Sequence, residues 1–287
     1  MARKVFLAMC LTVCIARATF GWGDTVQLRG STSENSTTSD QVSSLGYPCN
    51  LEEFQRAGFA PEWNYRSNEP HELVFLHVPK TAGESVEAAL EIHKNHEVAR
   101  ERRQSMGEEA WGGAFKFSVA RNPWARWESW HSFCESGYGP KRHLPTPHWA
   151  CQMARSMTLS SWTKNMIVLL RGLEMLRPDL RYNLKRRGAE FEHAWFFEPQ
   201  SEYVTDGVHL DVLLPNFIIS FENLQSDFEC MAALLGLSVN LQHRNPSTAV
   251  QGKSTAERVA AFDQEARELI GEYNKFEIEQ YGYEFPV

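Results

Sequence analysis

Short apolar runs alternate with longer stretches of helical pattern from about residue 71 to the end of this chain. Four runs have the length and composition of buried strands: residues 73–78, 115–119, 194–197 and 217–220. Helical periodicity occurs in five segments: residues 85–93, 124–133, 161–176, 227–235 and 255–280. Strands separated by material long enough for crossover helices predict a parallel sheet covered by helices, which is an α/β fold.

The first predicted strand leads into a turn that is typical of anion binding. Residues 72–87 read ELVFLHVPKTAGESVE, so the apolar run ends at Pro79 and a helix begins a few residues later. A strand that feeds a turn at a helix N-terminus directs several backbone N–H groups, and the positive end of the helix dipole, at one point. Lys80 adds a full charge, and Thr81 and Ser85 add hydroxyl groups. We therefore expect a phosphate-type group to bind here.

This turn differs from the loop that binds nucleoside triphosphates, G-x-x-x-x-G-K-[ST], because its lysine comes at the start. ATP or GTP is therefore not the expected ligand. Lys80 could reach a bridging oxygen, while the hydroxyls and the turn amides bind nonbridging oxygens.

A second strand, turn and helix follow in residues 117–129, FSVARNPWARWES. Pro123 suits the first turn of a helix. Arg121 at the strand end and Ser129 about two turns into the helix could bind one further phosphate, through the guanidinium fork and the hydroxyl. Taken alone, Arg121 could equally hold a loop through a carboxylate. Its pairing with the first turn favours the phosphate interpretation.

Together the two elements resemble sulfotransferases that use 3′-phosphoadenosine 5′-phosphosulfate (PAPS), and the Golgi-type carbohydrate sulfotransferases most of all. In that superfamily a PKTGGTS-like loop holds the 5′-phosphosulfate and an RNPxxRxxS element holds the 3′-phosphate. The second element matches at every fixed position, and the resemblance extends over most of residues 73–285. It implies a P-loop NTPase-like three-layer fold, with a central parallel β-sheet flanked by helices.

The resemblance also implies roles for individual residues. Arg121 and Ser129 would bind the 3′-phosphate. The phosphosulfate end would be bound by the turn residues Lys80, Thr81, Ala82, Gly83, Glu84 and Ser85. Two of these depart from the family pattern: Ala82 replaces a usual glycine, and Glu84 stands where threonine is usual. Glu84 places a carboxylate beside a dianionic ligand and could weaken its binding, or it could point outward.

Sulfuryl transfer requires a base for the acceptor hydroxyl and a cation near the leaving oxygen, and this scheme requires no metal. Lys80 would supply the cation. His96 is the predicted base, because related enzymes carry a histidine in the corresponding stretch, and His148 is the alternative. Arg126 could contact an acidic acceptor or belong to an ordinary helix face. We interpret Glu222, at a strand end, as a structural residue.

We therefore expect residues 71–287 to form a domain that transfers a sulfuryl group from PAPS to a hydroxyl, most simply of a carbohydrate. Two alternatives remain open at this point. One is a non-carbohydrate hydroxyl acceptor, and the other is an inactive sulfotransferase-like module that binds carbohydrate.

The N-terminal region predicts entry into the secretory pathway. Arg3 and Lys4 precede an apolar run, and an A-R-A sequence at residues 16–18 predicts a signal peptide over residues 1–18. A retained signal anchor is the alternative, although the run is shorter than the roughly 20 residues of a spanning helix. The Ser/Thr-rich composition predicts a disordered stalk or linker over residues 19–70. We expect a lumenal Golgi or secreted protein, without a membrane span once the signal is cleaved.

Cysteine content and charge agree with that compartment. Cys49, Cys134, Cys151 and Cys230 would remain in the mature chain, as one or two disulfides or as four buried thiols, and a Cys134–Cys151 bridge would close a loop. Asn35 lies in an N-S-T acceptor sequence for glycosylation. A net charge of -7 argues against a broad basic surface for nucleic acid. Anion binding should therefore be confined to one site.

Overall fold

The computed structural model describes residues 27–28, 41–59, 71–92, 96–136, 149–174, 197–206, 212–242 and 254–286. The predicted signal peptide, Asn35 and His148 lie outside these ranges. The strands are β1 (Gln27–Leu28), β2 (His71–Leu76), β3 (Phe115–Ala120) and β4 (Phe217–Ser220). The helices are α1 (Leu51–Arg56), α2 (Gly83–Leu90), α3 (Ala99–Met106), α4 (Glu108–Gly113), α5 (Pro123–Glu135), α6 (Trp149–Ala154), α7 (Leu159–Glu174), α8 (Ser201–Val204), α9 (Leu224–Leu234), α10 (Thr255–Val259), α11 (Gln264–Tyr273) and α12 (Lys275–Tyr281).

A sheet in the order β1-β2-β3-β4 forms the centre of the fold. β2, β3 and β4 run parallel, and β1 is antiparallel to β2. The register places Phe75 opposite Phe117 and Phe117 opposite Phe217, so one row of phenylalanines crosses the parallel strands. The predicted parallel α/β sheet is confirmed.

Helices cover both faces of the sheet, because successive residues of a strand point to opposite sides. Phe115, Phe117 and Phe217 pack with α1, α2 and α9 on one face. On the other face, Val74 and Leu76 pack with residues of α3 and α4. A separate cluster joins α5, α6, α7 and α11 around large buried tryptophans. This is the three-layer arrangement that the resemblance implies.

One predicted strand is described only in part, and one predicted helix differs from the structure. Of the predicted strand at residues 194–197 only Phe197 is described, and it lies outside the sheet with its ring centroid 4.8 Å from that of Trp130. The single helix predicted over residues 255–280 is wrong, because that segment forms α10, α11 and α12. Asp263 accepts a hydrogen bond from Ala266 N at 2.8 Å and thereby starts α11 as a new helix.

Residues 41–59 belong to the folded body, although they fall in the range predicted as a disordered linker. Phe54 on α1 is fully buried, and the Tyr47 ring stacks on Phe217 with centroids 4.6 Å apart. Ser44 N donates to the Asp227 carboxylate at 2.8 Å. The linker prediction is therefore wrong for this segment. β1 also falls in the range, and elsewhere the linker stays a prediction.

The four cysteines of the described ranges form two disulfides, Cys49–Cys230 and Cys134–Cys151. The predicted disulfides are confirmed, and the alternative of four free thiols is wrong. Disulfides of this kind are compatible with a secreted or lumenal protein. Within the described ranges, no helix combines the length and the apolar character that a membrane crossing requires.

Removing the long-range disulfide should destabilise the protein more than removing the short-range one. The two bridges join cysteines 181 and 17 residues apart. Loop-closure entropy gives about 3 kcal/mol for a 15-residue loop and about 4.7 kcal/mol for a 100-residue loop. We expect a larger loss of unfolding free energy for Cys49→Ser/Cys230→Ser than for Cys134→Ser/Cys151→Ser in urea denaturation. Equal losses, or the reverse order, would contradict this expectation.

Candidate active site

The turn between β2 and α2 has the backbone form of an anion-binding concavity. Lys80 and Ala82 have φ values of 70° and 68°, in the left-handed region, and Thr81 between them does not. Alternation of this kind curls successive N–H groups toward one side of the chain. The Ala82 carbonyl accepts from Ser85 N at 2.9 Å and opens α2. A left-handed alanine is strained, which explains why the related loops carry glycine at this position.

Some side chains of this turn are buried and others are exposed. Thr81 is fully buried, and its hydroxyl donates to the Val78 carbonyl at 2.7 Å. That proton ties the turn to the strand end, so Thr81 can offer a ligand its backbone N–H rather than its hydroxyl proton. Ser85 is buried in the first turn of α2. Glu84 is exposed, so its carboxylate can be hydrated.

A buried imidazole and carboxylate lie directly beneath the turn, and sequence reasoning missed both. His77 Nδ1 is 2.5 Å from Glu87 Oε1, and both residues are buried. A Cβ at Gly83 would lie 1.9 Å from His77 Nε2, so only glycine fits against the ring. The available signal was the histidine immediately before Val-Pro-Lys, with an acid ten residues later on the helix.

His96, the predicted base, lies against this same pair. Its Nδ1 is 3.3 Å from the His77 carbonyl oxygen, and the two imidazole centroids are 4.1 Å apart. His96 is half-buried. The structure therefore brings His96 to the end of the strand that leads into Lys80. The alternative base, His148, lies outside the described residues.

Arg121 connects the second element to the turn. Its Nη1 donates to the Lys80 carbonyl at 3.0 Å, and its guanidinium carbon lies 4.1 Å from the centroid of the Phe221 ring. The side-chain amide of Gln200 holds the Arg121 backbone from both sides, accepting from N at 2.9 Å and donating to O at 2.7 Å.

One face of α5 is turned toward the same turn. Arg126 Nε donates to the Pro79 carbonyl at 3.0 Å. Lys80 Nζ lies 4.3 Å from the centroid of the Phe133 ring and 5.6 Å from that of Trp130. Residues 126, 129, 130 and 133 share one face of a helix, at i, i+3, i+4 and i+7. Ser129 therefore lies on the face that contacts the turn.

Two residues weighed from the sequence have structural partners. Arg126 is buried, and its Nη1 donates to the Glu198 carbonyl at 2.8 Å, so it braces the turn and cannot face an acceptor on the surface. Glu222 accepts from Asn122 N at 2.8 Å and from Ser220 Oγ at 3.1 Å. This confirms the structural interpretation of Glu222.

The surroundings of the Arg121 side chain suit an anionic ligand. Only 4% of its surface is exposed, and its Nε is a buried donor without an acceptor among the described residues. Burial lowers the pKa of Arg121 to about 10, against the opposing influence of Glu128 and Glu222. An anion beside Nε would supply the missing acceptor and stabilise the buried cation.

Comparison with known protein families agrees with this geometry. A family model described as the sulfotransferase family matches residues 63–284. The chain belongs to the sulfotransferase family. Neither the curated proteins nor the solved structures contain a match. Membership supports sulfuryl transfer as the chemistry of this sulfotransferase. The matched range includes β2, β3, β4 and every site residue described above.

In the described part of this sulfotransferase, no group of histidine, cysteine, aspartate and glutamate side chains could hold a metal ion. The expectation that the reaction requires no metal stays a prediction. The residues described at the site present chiefly cationic groups and hydrogen-bond donors.

Gly83→Ala should destabilise the sulfotransferase by about 1–3 kcal/mol, because the new Cβ would overlap the buried His77 ring. Gly112→Ala is the matched control. A Cβ there would meet nothing within 4 Å, and alanine in the interior of α4 should be neutral or stabilising by about 0.5–1 kcal/mol. Urea denaturation measures both free energies of unfolding. Equal stability of Gly83→Ala and the parent protein would contradict the contact.

Proposed function

We propose that this sulfotransferase moves a sulfuryl group from PAPS to a carbohydrate hydroxyl in the secretory pathway. The observation that carries the proposal is the hydrogen bond from Arg121 Nη1 to the Lys80 carbonyl. It joins the two elements that the family uses for the two ends of PAPS. Resemblance supplies the identity of the donor, and the geometry supports the binding of two anionic groups.

Peptide geometry supports two anionic groups rather than one. The C=O and N–H of a trans peptide point in opposite directions, and the described residues contain no cis peptide. Because the Lys80 carbonyl points at Arg121, the Thr81 N–H points away from it. The Pro79 carbonyl points at Arg126, so the Lys80 N–H points away from that side chain too. The turn amides and Arg121 therefore suit different phosphate-type groups.

The residues of the turn would hold the phosphosulfate end, and Arg121 with Ser129 would hold the 3′-phosphate. When bound, PAPS supplies an activated sulfuryl group next to a phosphate leaving group. Lys80 Nζ, set over Phe133 and Trp130, offsets negative charge at this end of the site. Ala82, Gly83 and Glu84 would contribute backbone N–H groups to the phosphosulfate.

The contact between His96 and the His77 carbonyl supports the tautomer that a base requires. A carbonyl oxygen only accepts hydrogen bonds, so His96 Nδ1 carries the proton that is donated to the His77 carbonyl. In that tautomer Nε2 of the neutral ring is the atom that would take the proton of an acceptor hydroxyl. His148 is the alternative base if His96 proves dispensable.

Resemblance favours carbohydrate as the acceptor, and two disulfides fit the compartments where secreted carbohydrates are modified. A tyrosine, lipid or small-molecule hydroxyl is the alternative acceptor. An inactive carbohydrate-binding module is the alternative outside enzymes, because Glu84 occupies a turn position where threonine is usual. Its exposure favours the enzyme, since a hydrated carboxylate repels a bound dianion less.

Binding of adenosine 3′,5′-bisphosphate tests the donor assignment. Ligand at 100 times its dissociation constant should stabilise the folded protein by about 2.7 kcal/mol, which a thermal shift detects. No shift at millimolar ligand would contradict the proposal and favour the binding module. Transfer of radiolabelled sulfate from PAPS to a panel of polysaccharides, peptides and small hydroxyl compounds then identifies the acceptor.

Three substitutions should separate binding from chemistry. Lys80→Ala and Arg121→Ala should abolish the thermal shift, because each removes a cation from the donor site. His96→Ala should keep the shift and lose turnover, because it removes only the base. Arg103→Ala is the control, since this exposed arginine pairs with Glu108 away from the turn. Full turnover of His96→Ala would transfer the role of base to His148.

A further inference from the structure

We infer that His77, anchored by Glu87, is a positioning residue that orients the base His96. The inference rests on the proposed function, since it assumes that His96 acts on the acceptor. It concerns a buried imidazole–carboxylate pair, which the assignment of the donor site leaves without a role. Neither side chain belongs to the RNPxxRxxS element or to the residues that would contact the donor.

Contacts on several sides fix the His77 ring. Glu87 on the second turn of α2 accepts at its Nδ1, 2.5 Å away. Phe75 stacks on the ring with centroids 5.2 Å apart and planes 20° apart. Gly83 lies so close to Nε2 that no side chain fits between them. A ring held in this way has one orientation, and a carboxylate partner is a common means of fixing the tautomer of a histidine.

His96 rests on this fixed ring. The two imidazole centroids are 4.1 Å apart with planes at 46°, and the His77 carbonyl accepts the His96 Nδ1 proton. His77 thus gives His96 both a packing surface and a hydrogen-bond acceptor. Glu87, His77 and His96 form a continuous series that begins on α2 and ends at the proposed base.

The chemistry of the pair argues for a role beyond packing. His77 and Glu87 are 3% and 7% exposed, so both polar groups lose most of their hydration on folding. Apolar side chains of similar volume would fill this space without that desolvation cost. The presence of a paired imidazole and carboxylate beside His96 is explained if the orientation of the His96 ring matters for turnover.

Glu87→Ala should therefore slow turnover and leave donor binding intact. Freed from its anchor, the His77 ring would no longer hold the His96 ring that packs against it. Misplacement of a catalytic group by about 1 Å can cost about a hundredfold in rate. We expect a fall of about tenfold to a hundredfold in kcat. Lys80 and Arg121 are untouched, so the dissociation constant of adenosine 3′,5′-bisphosphate should stay unchanged. Glu87→Gln should retain most of the rate, because the amide oxygen can still accept from Nδ1.

Asp227→Asn is the matched control. It neutralises another fully buried carboxylate, which accepts from Ser44 N at 2.8 Å and from Ser220 N at 2.9 Å, away from the imidazoles. It should lower stability and leave both kcat and the His96 resonances unchanged. An equal loss of rate in Asp227→Asn and Glu87→Ala would show that the fall in kcat comes from general destabilisation, and it would overturn the inference.

Imidazole ¹⁵N NMR of the full chain gives a measurement that does not depend on activity, with His96→Gln to assign the His96 signals. The parent protein and Glu87→Gln should show His96 protonated at Nδ1, and Glu87→Ala should show shifted His96 ring signals, because the His77 ring that packs against His96 is no longer fixed. Unchanged His96 signals in Glu87→Ala would overturn the inference. So would a loss of ligand affinity as large as the loss of kcat. If the parent protein transferred sulfate to no acceptor, the proposed function would fail, and the NMR comparison would still decide whether His77 orients His96.

Discussion

The hydrogen bond between the Arg121 guanidinium and the Lys80 carbonyl is the interaction on which the site depends. It joins the end of β3 to the turn after β2, and it does so with a buried cation. Its position is held at both ends, by the Gln200 amide on the Arg121 backbone and by the Phe221 ring on the guanidinium. A buried cation with an unused Nε donor is costly in isolation and becomes favourable when an anion occupies the adjacent space.

The hydrogen bonds from the two arginines place the backbone carbonyls and the backbone amides on opposite sides of the turn. Arg121 and Arg126 take two successive carbonyls, and the amides of the same peptides are directed away from them. The left-handed residues Lys80 and Ala82 then curl those amides toward the start of α2, where the helix dipole adds to the positive potential. Arg121 and Arg126 thereby fix the backbone of the turn, although only Arg121 is proposed to contact the ligand.

Beneath the turn, the fit of Gly83 against His77 explains a glycine that the sequence pattern alone leaves unexplained. Its backbone conformation is ordinary, so the constraint is lack of space rather than a left-handed φ. The same imidazole is in contact with Glu87 and His96. The turn and the proposed base therefore both pack against one buried ring.

The sequence by itself determined the α/β class, three of the strands and the two strand–turn–helix elements that we propose as the donor site. It could do so because short apolar runs, the 3.6-residue periodicity and the two motifs around Lys80 and Arg121 are local properties. Tertiary structure decided the rest. The packing of residues 41–59 and the Cys49–Cys230 pairing depend on distant partners. The association of His77, Glu87 and His96 depends on how α2 and the following segment fold back onto β2. Such contacts join residues far apart along the chain, and only the folded arrangement specifies them.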